Sequence, residues 1–107
     1  MIKFEVYKES HIEARKGKTL WTAADMLEYH NNRTSTYLEL VASFDTKEEA
    51  GKFFEEEKKN CSSYYQDGYN GKLVLFDLIE LQENEYDEDG DLIQTLDIWD
   101  IYVAEIE

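Results

Sequence analysis

After Lys72 the sequence contains no lysine or arginine at all. The 35 residues that follow carry 12 carboxylates, whereas the first 54 residues hold nine acids against eight bases. Nearly all of the net charge of −14 therefore belongs to the C-terminal half. A field of that sign repels nucleic acid and anionic membranes, so neither is expected as a direct partner. Proline is absent too, which excludes a proline-rich linker. The lone Cys61 cannot form an internal disulfide, in keeping with a reducing compartment. One cysteine and two separated histidines, His11 and His30, are too few for a structural zinc site. No apolar run is long enough to span a bilayer, and Met1-Ile2-Lys3-Phe4-Glu5 begins no apolar leader segment, so the expected location is cytoplasmic.

What is present argues for a folded chain. Aromatic residues make up 14% of the sequence and hydrophobic ones 42%, against the pattern of disordered acidic chains. A length of 107 residues suits one domain, 1–107, with one core. Ile2, Phe4 and Val6 alternate with Lys3, Glu5 and Tyr7, which predicts a half-buried strand. A polar loop follows, then a short helix from Thr22, with Trp21 stapled onto Met26, ending near His30-Asn31-Asn32. Thr36–Phe44 reads as a second strand. Asp45-Thr46-Lys47-Glu48 then caps a long helix, predicted over Thr46–Tyr65 because Ala50, Phe53, Phe54, Cys61, Tyr64 and Tyr65 fall on one helical face. Gly68 and Gly71 frame the next loop. Leu73–Glu83 and Leu92–Ala104 read as strands, joined antiparallel through an Asp89-Gly90 turn. The expected class is α+β: a four-stranded, largely antiparallel sheet with one long helix, and room for a short second one, on one face.

Catalytic patterns are missing. There is no Cys-x-x-Cys, no Gly-x-Ser-x-Gly, no phosphate-binding glycine loop and no His-Glu-x-x-His. Cys61 lies on the apolar helical face, where a structural thiol is expected. Asp77 with Glu80, or Asp97 with Asp100, is a carboxylate pair of the kind such an acidic stretch produces by chance. A calcium loop fails as well. With Gly90 at position 6, Glu85, Asp87, Asp89 and Asp91 fall at positions 1, 3, 5 and 7, but position 12 is Leu96 rather than glutamate. No cofactor, no metal and no enzymatic activity are expected.

The acidic hairpin is the functional feature. Paired strands lie ~4.8 Å apart, so their carboxylates can approach the charge density of a nucleic-acid backbone and fit a basic groove. The expected partner-binding residues are Glu80, Glu83, Glu85, Asp87, Glu88, Asp89, Asp91, Asp97 and Asp100, flanked by Tyr64, Tyr65 and Tyr69 as aromatic anchors. The alternative is a solvated hairpin whose charge serves solubility, although a net magnitude of roughly 2–8 suffices for that in a small domain. Tyr86, Trp99 and Tyr102 flank the acidic region as well, where Tyr and Trp favour interfaces, and Trp99 and Tyr102 have a second reading as core beneath the helix. The stretch Leu40-Val41-Ala42-Ser43-Phe44-Asp45-Thr46-Lys47-Glu48-Glu49-Ala50, with Asn84-Glu85-Tyr86-Asp87-Glu88-Asp89-Gly90 beyond it, resembles small acidic proteins of phage and mobile elements in Gram-positive bacteria. In size and charge the chain is similar to anti-CRISPR proteins and other DNA-mimicking inhibitors. That resemblance implies a basic nucleic-acid-binding protein as partner. An immunity protein or antitoxin against a basic toxin would look alike in sequence.

Overall fold

The period-two segment at the N-terminus runs further than its first alternation. β1 spans Ile2–Arg15 in the computed structural model, which describes residues 1–15, 38–68 and 71–104. β2 (Glu39–Phe44), helix α1 (Lys47–Glu57) and a single 3₁₀ turn (Lys58–Asn60) follow. Then come β3 (Ser63–Gly68), β4 (Gly71–Tyr86) and β5 (Leu92–Val103). Every pairing is antiparallel, in the order β2-β1-β4-β3, with β5 also on β4. The class is therefore α+β, with one α-helix among the described residues, on one face of the sheet. The short helix expected near Trp21–Asn32 lies outside the described residues. No helix among those described is long and apolar enough to cross a membrane.

β4 is the spine. Its 16 residues would extend about 50 Å as a strand, matching the 51 Å long axis. β1 borders it from Ile2↔Glu85 to Arg15↔Leu73. The other edge is shared. Residues Gly71–Phe76 pair with β3, and Leu78–Tyr86 pair with β5. Asp77 stands at the hand-over. Its amide donates to the Ser62 carbonyl (3.0 Å), its carbonyl accepts from the Ala104 amide (2.9 Å), and its carboxylate accepts from the Ser62 amide (3.1 Å). The acid that interrupts the apolar run Leu73–Phe76 thus serves the backbone of two neighbouring segments.

The helix is shorter than its apolar spacing predicted. It ends by Asn60, and Ser63–Gly68, expected as its last turns and the loop after them, is strand β3. Between Phe54 and Cys61 the chain reads Glu55-Glu56-Glu57-Lys58-Lys59-Asn60, with nothing apolar to hold a further turn on the sheet. The first half of β4 also needs a partner for its backbone groups. The β-prone Tyr64 and Tyr65 supply one, so sheet pairing overrides the helical period. At the other end the cap lies one residue later than read. Thr46 is the N-cap, its hydroxyl accepting from the Glu49 amide (3.3 Å), while Asp45 is ion-paired with Lys3.

One stripe of α1, Ala50 and Phe54, is fully buried against Val6, Ile79 and Leu81. Phe53 sits beside it, half-buried, with its ring centroid 5.5 Å from that of Phe44. Both phenylalanines thus pack on the sheet as expected, with Phe54 the more deeply placed. Phe76, Leu78 and Val103 are buried as well.

The β4–β5 connection is the Asp-Gly turn read from sequence. The Asp87 amide donates to the Asp91 carbonyl (3.0 Å), and Gly90 adopts φ +85. Nothing lies within 4 Å of a Cβ built at Gly90, so a side chain would meet conformational cost alone. Gly90→Ala should lower stability by about 1–2 kcal/mol, read from urea unfolding at neutral pH.

Candidate functional site

The hairpin carries its acids in three settings. At the tip, Glu88, Asp89 and Asp91 are exposed. Asp87 is tied down there: its carboxylate accepts from the amides of Asp89 and Asp91, both at 2.9 Å, so it builds the turn. Along the strands, Glu83 stands directly opposite Asp97. Like charges so placed destabilise a sheet. The repulsion is tempered, since the Trp99 indole N–H donates to Glu83 (2.9 Å) and the Lys47 ammonium lies 3.6 Å from the Trp99 ring centre. Glu85 accepts from the Gln94 side chain (2.8 Å), and Asp100 is exposed beside Leu81. The third setting is internal. Glu80 is only 6% exposed and accepts from Gln82 (3.0 Å), so it does not join the surface acids with which the sequence grouped it.

Seven of the expected acids therefore share the hairpin's surface: Glu83, Glu85, Glu88, Asp89, Asp91, Asp97 and Asp100. Of the expected aromatic anchors, two are placed by their backbone alone. Tyr64 and Tyr65 lie on β3, which pairs with the opposite half of β4. Their side chains, and Tyr69 entirely, lie outside the described residues.

Sequence reasoning missed a second feature of this surface. Leu92, Ile93, Leu96, Ile98 and Trp99 are all exposed, between 43% and 57%. The cause is local geometry. Nine residues of β4, Leu78–Tyr86, stand opposite the 12 of β5, and the register shifts three times. Each extra residue is a bulge, which breaks the alternation from which facing is read. Trp99, which had a second reading as core, is among the exposed residues. Tyr102, beyond the last bulge, packs against the core under α1 as that reading held.

A buried polar network occupies the opposite face of the same strands. The Glu5 carboxylate, 2% exposed, accepts from the Asn84 amide (3.0 Å) and from the Tyr86 hydroxyl. Asn84 in turn accepts from Thr95 (2.8 Å), joining β1, β4 and β5. Burial, reinforced by the hydrogen bond to Glu5, holds the Tyr86 hydroxyl protonated well above the ordinary phenol range. Burial raises that of Tyr7 as well. The network satisfies a buried carboxyl group inside the fold. Removing one donor by Tyr86→Phe should cost about 1–3 kcal/mol at neutral pH. The sign with pH follows from a folded-state pKa above the unfolded one. The contribution of Tyr86 is complete below the unfolded tyrosine pKa of about 10 and is lost as pH rises past it. The stability gap between wild type and Tyr86→Phe should therefore narrow in strong alkali, as urea titrations at pH 8 and at about pH 11 would register.

Cys61 is half-buried at the end of the 3₁₀ turn, its thiol 3.5 Å from the Glu57 carbonyl, and burial pushes its pKa up. That is the setting of an unreactive thiol at neutral pH. Among the described residues, no three histidine, cysteine or acidic side chains are grouped so as to hold a metal ion. Compared with family models, curated proteins and solved structures, the chain matches none.

Proposed function

We propose that this chain is a non-enzymatic binding protein that presents its β4–β5 hairpin to the basic groove of a nucleic-acid-binding protein, as an inhibitor of the anti-CRISPR or anti-restriction kind. The observation that carries this reading is the placement of seven carboxylates on one hairpin, with no lysine or arginine anywhere after Lys72 at the far end of β4. Holding Glu83 against Asp97 costs folding stability. A binding role accounts for that cost, and solubility alone does not, because interspersed charges would keep the chain soluble. Attraction of this kind accelerates encounter and weakens steeply with salt.

A second reading, an immunity protein or antitoxin that neutralises a basic toxin, draws on the exposed apolar residues of β5, for which a pure phosphate mimic has no use. The test is capture by the immobilised chain from heparin-retained proteins of a Gram-positive lysate, followed by elution with duplex DNA. The mimic reading expects captured proteins that DNA releases and that the reversed hairpin described in the Discussion fails to bind. Proteins that DNA leaves in place but the reversed hairpin loses would favour the toxin reading. Equal capture by wild-type and reversed hairpins would overturn both.

A further inference from the structure

We infer that the edge strand β5, through Leu92, Ile93, Leu96, Ile98 and Trp99, is a side-chain docking element for a protein cleft whose apolar centre is ringed by lysine and arginine. The inference deepens the binding reading above and rests on it. These five large apolar side chains are exposed within eight consecutive residues of β5. They line both faces of the strand, with Leu92 and Ile98 opposite Tyr86 and Gln82, and with Trp99 bonded to Glu83, so a partner would have to receive the strand in a cleft. Among the described residues, no strand pairs with the outer edge of β5. A partner strand is nevertheless a poor occupant. Three register shifts interrupt the row of backbone donors and acceptors, and bulges of this kind turn an edge away from pairing. Contact must then run through side chains.

The charge around the row selects the occupant. Asp97 lies among the apolar residues, Asp91 and Asp100 flank them, and Glu88 and Asp89 lie at the adjoining tip. A second copy of the chain would bring −14 against −14. A cleft with lysine and arginine around an apolar centre meets both features. Trp99 already displays the chemistry within the chain. Its ring holds the Lys47 ammonium 3.6 Å from the ring centre while its N–H is fixed on Glu83. An aromatic face next to a carboxylate is a good seat for a cation, so a partner's lysine or arginine can take the place of Lys47.

The experiment compares two labelled peptides of equal positive charge, an amphipathic leucine–lysine peptide and an oligolysine, titrated with the full chain by fluorescence anisotropy. Salt is set at about 0.05 M and about 0.5 M, either side of the range where exposed charges are screened. At high salt the leucine–lysine peptide should bind roughly ten-fold or more tighter than oligolysine, and a Leu96→Ser/Ile98→Ser/Trp99→Ala variant should lose that advantage. The control Leu40→Ser, at an exposed apolar site on β2, should keep it. Circular dichroism verifies that each variant is folded. If both peptides bind alike, or the β5 variant behaves as the Leu40→Ser control does, the docking surface is refuted while the acidic reading stands. If neither peptide binds even at low salt, the acidic reading falls with it. Sedimentation of the free chain as a dimer that the β5 variant abolishes would assign the row to a second copy and overturn the inference.

Discussion

Reversal of Glu85, Glu88, Asp89 and Asp97 to lysine should reduce partner affinity by roughly 100-fold or more at low salt, mostly through slower association. Each substitution removes one negative charge and adds one positive charge on the hairpin. The set omits Asp87, because its carboxylate accepts from the Asp89 and Asp91 amides and its loss would unmake the turn. It omits Glu80 because that side chain is buried. The fold should tolerate the change, since Glu88, Asp89 and Asp97 are exposed and Asp97 faces Glu83 across the sheet. Converting that like-charged pair into an opposite one, and reducing a net charge of −14, should leave the midpoint of thermal unfolding unchanged or higher. Reversal of the exposed helix acids Glu48, Glu55 and Glu56 is the proper control and should do little. Glu5 and Glu9 would be unsuitable, because both are buried. Binding measured against a captured partner at two ionic strengths checks the prediction.

Phe54→Ala should cost about 3–5 kcal/mol, the usual range for emptying a buried aromatic site. Phe54 is 1% exposed and is enclosed by Val6, Ala50, Ile79 and Leu81. A domain of this size has only about 5–15 kcal/mol of stability, so this substitution alone brings it near unfolding at physiological temperature. Phe53→Ala should cost clearly less, because Phe53 is half-buried and its neighbours can close over the gap. Urea unfolding of the two variants side by side gives the order. Equal losses would mean that the helix is seated on the sheet differently from the arrangement described.

Several parts of this fold were legible because local signals and tertiary demands agree. The alternation at Ile2–Val6 predicts β1, and the Asp89-Gly90 dipeptide predicts the turn that Gly90 makes at positive φ. A capped helix after a strand is readable from Asp45-Thr46-Lys47-Glu48, even though the cap falls on Thr46. The far end of the helix was not readable. Cys61, Tyr64 and Tyr65 keep a helical spacing while their backbone is claimed by the unpaired half of β4, a demand that exists only once the sheet has formed.

The candidate site divides in the same way. Acidity is a property of composition, so the charged hairpin could be found without coordinates. Burial is a property of facing. Glu5 in a period-two strand looks solvent-exposed, yet its face carries the Asn84–Tyr86 network. The bulges of β5 have the reverse effect, turning residues that resemble core out to solvent. Runs such as Leu96-Asp97-Ile98-Trp99-Asp100, where apolar and acidic residues follow no period of two, are the one sequence sign of that irregularity.

The most direct test of the binding account is a hydrogen-exchange footprint of the full chain, free and bound to a DNA-releasable partner. The account predicts new protection from Glu85 through Asp100, with the exposed face of α1 around Glu48, Glu55 and Glu56 unchanged. Protection confined to α1 or β2, with the hairpin exchanging as in the free chain, would contradict it.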